Sequence, residues 1–127
     1  MKESPIFVKM HDFVAWIIPL TTKFPREQRF VVAAALQRVT LSCYESLIRA
    51  GSASDKITEE QAHLNEAAAQ LNLLRMYLRL SHFMLCITTK QYEFASEQST
   101  EVGRMLQAWK RNIQRKPAAD TSIQAHE

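Results

Sequence analysis

The sequence predicts an all-α protein, more specifically an antiparallel up-and-down four-helix bundle. The chain has 127 residues with only two glycines and four prolines, and residues with good helix propensity dominate the remainder. In four successive segments, apolar side chains recur every three or four residues, as on one face of an α-helix. Short polar segments separate them and favour antiparallel neighbours. We expect one bundle domain over residues 1–116, since this length can bury a core without disulfides or metals.

The first predicted helix spans residues 5–22. Ser4 is suited to the N-cap and Pro5 to the first helical position, where a missing N–H costs nothing. The second predicted helix, residues 26–50, follows Pro25 and stops at Gly51, a residue favoured just beyond helix C-termini. Its expected core face consists of Val32, Leu36, Val39, Cys43 and Leu47.

The third predicted helix spans residues 58–87 and the fourth residues 90–115. Thr58 and Gln61 fit a capping box at the start of the third helix. Thr88 and Thr89 interrupt the apolar pattern and can cap the fourth. Residues 117–127 have neither periodicity nor enough apolar content to pack, so they predict a disordered tail.

The third helix carries two apolar arcs rather than one. The arc expected to face the core contains Leu71, Leu74, Leu78 and Leu85. The second arc, roughly opposite, contains Leu73, Met76, Leu80, Met84 and Ile87, and the second helix has a comparable set in Phe30, Ala34, Leu41 and Ile48. Helices that are apolar on several sides are normally buried on several sides, which predicts a homo-oligomer. The alternative is that these residues widen the core of a monomer.

A basic strip interrupts the apolar third helix. Arg75, Arg79 and His82 share one face because they are spaced by four and three residues. Burying such charges without partners is costly. They therefore either pair with acids of another helix or subunit, for which Glu45 and Glu66 are candidates, or bind phosphate, whose oxygens match the guanidinium fork. The sequence does not decide between the two.

A second basic strip lies on the outer face of the fourth helix and contains Arg104, Arg111 and Arg115. Acidic residues precede these bases, an order that the helix dipole favours by itself; the alternative is a polyanion-binding surface. Arg26 and Arg29 open the second helix, where the dipole disfavours cations, and are further candidates. The net charge of +3 is compatible with nucleic acid but does not demonstrate it.

Motifs for catalysis or cofactor binding are absent from the sequence. Its four histidines lack metal-ligand spacing, and there is no glycine-rich phosphate loop. We therefore expect no enzymatic activity, no metal site and no cofactor. No apolar run reaches the ~18 residues of a membrane span, and early charges argue against a signal peptide. With Cys43 and Cys86 expected to be reduced, a cytoplasmic location is predicted.

Three segments carry a family resemblance: FPREQRF, LNLLRMYLRLSH and KQYEFASEQSTEVGRMLQAWKR. They resemble the accessory variability determinant (Avd) proteins of diversity-generating retroelements. The likeness covers residues 7–115, and its most specific elements are LRMYLRL and EVGRML with Trp109 after it. The chain is similar, more distantly, to four-helix-bundle proteins encoded in intervening sequences of bacterial ribosomal RNA.

The Avd resemblance implies a bundle that assembles into a pentameric, barrel-like ring with a basic surface. It implies a non-catalytic partner of the element's reverse transcriptase that binds RNA and DNA and supports mutagenic retrohoming. By matching positions, Arg75 and Arg79 would be the leading binding residues and Arg104 the next. Many relatives have a small-residue pair, often Gly-Gly, where this chain has Gln107-Ala108, which puts details of packing there in question.

Two hypotheses follow. In the first, the protein is an accessory subunit that uses its arginines to bind nucleic acid and the reverse transcriptase. In the second, it is a structural oligomer of the intervening-sequence type, whose arginines form salt bridges between subunits.

Overall fold

The computed structural model describes residues 4–115 and contains four long helices. These are α1 (Pro5–Thr21), α2 (Ala34–Ser52), α3 (Ile57–Phe83) and α4 (Thr89–Arg115). Each packs against two neighbours, in the order α1, α2, α3, α4 and back to α1. No strand occurs in this part of the chain, so the predicted all-α bundle is confirmed. The predicted tail lies outside the described residues.

The predicted apolar faces form the core of the bundle. Core residues from α1, α2 and the turn before α2 include Ile6, Met10, Phe13, Ile17, Val32, Leu36, Val39, Cys43 and Leu47. From α3 and α4 come Leu64, Leu71, Leu74, Leu78, Val102, Leu106 and Ile113. Each fully buried aliphatic side chain of this kind contributes roughly 1.5–3 kcal/mol. No helix of residues 4–115 combines the length and apolar character needed to cross a membrane.

The start of the second helical segment differs from the prediction. Arg26–Gln28 forms a 3₁₀ turn and Arg29–Ala33 a π-helical turn, so the α-helix begins only at Ala34. The Arg29 side chain donates a hydrogen bond from Nε to the carbonyl of buried Phe24 at 3.2 Å. The wider π turn leaves Phe30 and Val31 exposed while the next two residues enter the core.

The prediction that α2 stops at Gly51 is wrong, because the helix continues through Ser52. A Cβ atom on Gly51 would lie 3.1 Å from Cζ of Phe7. This glycine therefore serves close packing of α1 against α2 rather than helix termination.

The same end of the bundle joins the other two helices. The Phe7 ring packs edge-on against the Trp109 ring, with centroids 5.7 Å apart. The Trp109 indole N–H donates a hydrogen bond of 2.7 Å to Oε2 of Glu60, which is only 7% exposed. Glu60 lies in the first turn of α3, where the helix dipole favours a carboxylate. All four helices are thus connected through Gly51, Phe7, Trp109 and Glu60.

The predicted capping box on α3 is wrong, whereas the predicted cap of α4 is confirmed. Lys56 is the N-cap of α3 and makes no side-chain capping bond. At the start of α4, the Gln91 N–H donates to Oγ1 of Thr88 at 3.0 Å and the Thr88 N–H donates to Oε1 of Gln91 at 2.8 Å. This reciprocal pair is a capping box.

Helix α3 ends at Phe83, four residues before the predicted position. The Cys86 N–H bonds to the Ser81 carbonyl at 2.8 Å and the Leu85 N–H to the His82 carbonyl at 3.0 Å, which is a Schellman motif. Leu85 has a φ of 62°, a conformation that glycine usually provides.

This early end changes the environment of three residues assigned to the apolar arcs. Leu85, predicted in the core, is 84% exposed, whereas Ile87, predicted on the outer arc, is buried. Met84, also predicted on the outer arc, is half-buried at the C-cap. The helical periodicity used for the prediction does not extend past Phe83.

Replacing Leu85 by glycine should stabilise the protein. The left-handed conformation costs a residue with a Cβ about 1–2 kcal/mol, which exceeds the extra backbone entropy of glycine. We expect Leu85→Gly to raise the free energy of unfolding by about 0.5–1 kcal/mol, measured by chemical denaturation. Leu85→Ala keeps the Cβ and is the matched control. Equal stability of the two variants would contradict this account.

Trp109→Phe should destabilise the bundle because it leaves the buried Glu60 carboxylate without its donor. We expect the free energy of unfolding to fall by about 1–3 kcal/mol more than in Trp16→Phe, measured by chemical denaturation. Trp16 is the matched control, since it is also half-buried but donates no indole hydrogen bond within residues 4–115. Similar losses in the two variants would show that the hydrogen bond contributes little.

Candidate functional site

A groove between α3 and α4 brings three of the predicted arginines together. Its volume is about 410 Å³, and it receives Arg75 from α3 and Arg104 and Arg111 from α4. The remaining lining residues are Ala68, Leu71, Asn72, Thr100, Gly103, Leu106 and Gln107. All three arginines are exposed, and no carboxylate is among the described residues that line this basic groove.

A smaller hollow of about 190 Å³ adjoins the basic groove further along α3. Arg75 lines both depressions, and Arg79 lines only the second. The other residues of this adjoining hollow are Asn72, Met76, Leu78, Tyr92, Ser96 and Ser99. It too lacks a carboxylate among the described residues. The two depressions therefore form one positively charged path between the helices.

Helical spacing explains why the arginines meet there. In α3 the buried residues Leu71, Leu74 and Leu78 face the core and the exposed residues Leu73, Met76 and Leu80 face away from it. Arg75 and Arg79 lie between these two sides, next to α4. Arg104 and Arg111 are seven residues apart in α4, so they share one side of that helix.

The acids proposed as partners for Arg75 and Arg79 are engaged elsewhere. Glu45 lies 3.9 Å from Arg49, and Glu66 accepts a hydrogen bond from Gln70. Within residues 4–115, neither Arg75 nor Arg79 forms an ion pair.

Arg104 is different, because its Nη1 lies 2.6 Å from Oε2 of Glu101 one turn earlier. The Arg104 side chain is 68% exposed and that of Glu101 38%, and ion pairs that solvent still reaches contribute at most about 1 kcal/mol. A phosphate can therefore compete for Arg104 at small cost.

His82 lies behind the adjoining hollow rather than in it. Its Nε2 is 3.1 Å from Oγ1 of Thr89, and its ring stacks on Tyr92 with centroids 4.7 Å apart and an interplanar angle of 3°. Since Tyr92 lines the hollow, His82 positions an aromatic wall instead of contacting a ligand there.

No described contact places the other three predicted binding residues in the basic groove. Arg26 and Arg29 are exposed at the junction before α2, and neither lines the basic groove or the adjoining hollow. The Arg115 side chain lies outside the described part of the structure.

Several polar residues of the path are not among the residues predicted from the sequence. Asn72 precedes Arg75 by three residues and Gln107 follows Arg104 by three, so helical spacing could have identified both. Gln107 lines the basic groove, whereas its neighbour Ala108 lines a separate hollow beside the start of α1. Gln107 and Ala108, which stand where many relatives have two small residues, thus lie on different surfaces of the bundle. Tyr92 gave no sequence signal, because its place depends on how α4 packs on α3.

Neither cysteine is in an environment that would make its thiol a good nucleophile. Burial raises the pKa of the Cys43 thiol to about 12, and its Sγ lies 3.5 Å from the Ala67 carbonyl oxygen. Burial also raises the pKa of half-buried Cys86. Both thiols are therefore protonated at neutral pH, which makes them weak nucleophiles. Within residues 4–115 no group of three or more potential metal ligands occurs.

Comparison with known proteins agrees with the fold and with the Avd resemblance. A crystal structure from Bacteroides thetaiotaomicron, described as a protein of unknown function from the S23 ribosomal protein family, matches with a TM-score of 0.74 and 26% identity. The match covers 81% of this chain and 92% of that one. No curated protein matches. The model of the bAvd-like family matches residues 6–113, and the chain therefore belongs to the bAvd-like family.

Proposed function

We propose that this protein is a non-catalytic accessory subunit of a diversity-generating retroelement. It binds nucleic acid, the template RNA and its DNA copy, and the element's reverse transcriptase. Membership of the bAvd-like family supports the assignment to such a retroelement. The observation that carries the binding function is the meeting of Arg75, Arg104 and Arg111, from two helices, in one groove without an acid among its described lining residues.

The charge arrangement suits a phosphate backbone. The arginines are exposed, so they lose little hydration before a ligand arrives, and their planar forks can hold two phosphate oxygens at once. Because the path runs between α3 and α4 for several turns, it offers a series of charges rather than one. Binding to such a series releases counterions from the nucleic acid and is strongly salt-dependent.

The other groups of the path favour binding without strong sequence preference. Asn72, Thr100 and Gln107 offer amides and a hydroxyl, which can bond to sugars, phosphates or base edges. Residues 4–115 form no module known for reading bases in order, such as a zinc finger. We therefore expect the ligand's backbone to dominate the affinity.

Removal of two arginines of α3 should test the proposal. Arg75→Ala combined with Arg79→Ala should weaken RNA binding by about tenfold or more. It should also reduce the slope of log affinity against log salt by about 0.7 per lost phosphate contact on a single strand. Fluorescence anisotropy over a salt series measures both quantities.

The matched control combines Arg38→Ala with Arg49→Ala, which removes the same net charge from exposed positions of α2. If the control weakens binding as strongly as the α3 pair, net charge matters and the groove does not. If the α3 pair leaves binding unchanged, the proposed site is wrong.

A second candidate function, a structural oligomer, is favoured by the exposed apolar residues. These are Leu73, Met76 and Leu80 on α3, with Phe30, Leu41 and Ile48 in the second helical segment. They lie on two adjacent helices and offer apolar surface that contacts between subunits would bury. The family resemblance favours a pentamer. Self-association and nucleic-acid binding are compatible, and we propose both for this chain.

A charge placed on the exposed side of α3 should disrupt the oligomer. We expect Leu73→Lys to lower the mass measured by light scattering, because a buried unpaired charge opposes association. Gln114→Lys adds the same charge to an exposed polar position of α4, away from the apolar side of α3, and should leave the mass unchanged.

The Arg75→Ala and Arg79→Ala double variant distinguishes nucleic-acid binding from salt bridges between subunits. If it dissociates the oligomer and the unaltered protein binds no RNA, the arginines serve subunit salt bridges only, and the structural function is the correct one.

A further inference from the structure

An exposed aromatic side chain stands at the end of the arginine strip of α3. Arg75, Arg79 and Phe83 follow one another at intervals of four residues, so they lie along one side of the helix. Phe83 is 81% exposed and is the last residue of α3. The positively charged path therefore leads directly to a phenyl ring that faces solvent.

The position of Phe83 is fixed by the backbone that follows it. The Schellman motif turns the chain away immediately after Phe83, with Leu85 in the left-handed conformation. No further helical turn covers the ring, and within residues 4–115 it forms no pair with another aromatic ring. With 81% of its surface exposed, the ring is accessible to a planar ligand.

A second aromatic group lies beside the strip. Tyr92 lines the adjoining hollow together with Arg75 and Arg79. Its ring is held parallel to His82, which in turn lies within hydrogen-bonding distance of Thr89. The path thus combines guanidinium groups with aromatic surfaces, the combination by which proteins bind single-stranded nucleic acid.

We infer that the path between α3 and α4 takes single-stranded nucleic acid and that Phe83 stacks on one of its unpaired bases. This inference rests on the proposed function and specifies the form of its ligand. Phosphates lie along Arg104, Arg75 and Arg79, and the base next to the last phosphate reaches Phe83. In a duplex each base is already stacked between its neighbours, so the ring has no partner there.

The charges near Phe83 favour nucleic acid over a protein partner. Exposed Leu85 also lies at this corner, and an apolar protein segment could contact both side chains. Such a segment would gain little from the arginine strip, whereas a nucleic acid uses the strip and the ring together. A protein partner is therefore an outcome of the test and not the inference.

The test uses the full chain, a mixed-sequence 20-nucleotide single-stranded RNA and the corresponding duplex. We expect Phe83→Ala to weaken single-strand binding by about tenfold, the loss of one stacked base, and to leave duplex binding within about twofold. Phe83→Leu should also weaken single-strand binding, because leucine is apolar but has no aromatic face. Phe83→Trp should retain or increase it.

Phe94→Ala is the matched control. Phe94 is also an exposed phenylalanine, at 42%, but its ring packs beside Trp16 of α1 and lines neither the basic groove nor the adjoining hollow. We expect no change in RNA affinity from this variant. An equal loss in Phe94→Ala and Phe83→Ala would overturn the inference, since it would mean that exposed apolar surface in general promotes binding.

Three further results would overturn the inference. Full affinity in Phe83→Leu would mean an apolar contact rather than stacking. A changed mass of Phe83→Ala in light scattering would place the ring between subunits. Equal losses for single strand and duplex would remove the strand preference. If Phe83→Ala binds normally while the Arg75 and Arg79 double variant does not, the inference fails but the proposed function stands; if both bind normally, both fail.

Discussion

The hydrogen bond from Trp109 to Glu60 holds the start of α3 against the end of α4, the two helices that form the basic groove. It satisfies a carboxylate that would otherwise be buried at considerable cost. Phe7 packs on the same tryptophan and against Gly51, so one end of the bundle is fixed by all four helices. With that end fixed, α3 and α4 run side by side and the groove between them has defined walls.

At the opposite end, backbone hydrogen bonds set the connection between α3 and α4. The Schellman motif closes α3, and the Thr88–Gln91 capping box opens α4 only a few residues later. This tight connection requires Leu85 to adopt a conformation that costs a residue with a Cβ about 1–2 kcal/mol. Phe24, Val32 and Ile87 are buried at this end, whereas Phe30, Val31, Phe83 and Leu85 at its helix junctions are exposed.

The charges of α3 occupy a different side of the helix from its apolar residues. On α3, the core side, the arginine side and the outward apolar side occupy separate directions, so one helix contributes to packing, to the basic groove and to the proposed subunit contact. Arg75 and Arg79 keep their charge available because their predicted acidic partners, Glu45 and Glu66, interact with Arg49 and Gln70. Nucleic-acid binding and self-association can therefore use the same helix without competing for the same residues.

Local spacing along the chain predicts the four helices, the core face of the second helical segment, the Thr88 cap and the shared side of Arg75 and Arg79, because helical periodicity repeats within a few residues. The end of α3 is not predictable in this way, since leucine rarely adopts the conformation that Leu85 has, and the exposure of Leu85 and the burial of Ile87 follow from that turn. The approach of Arg104 and Arg111 to Arg75, and the position of Tyr92 and Gln107 along the same path, depend on the folded chain. Those contacts connect residues distant in sequence, whose approach is set by how α4 packs on α3.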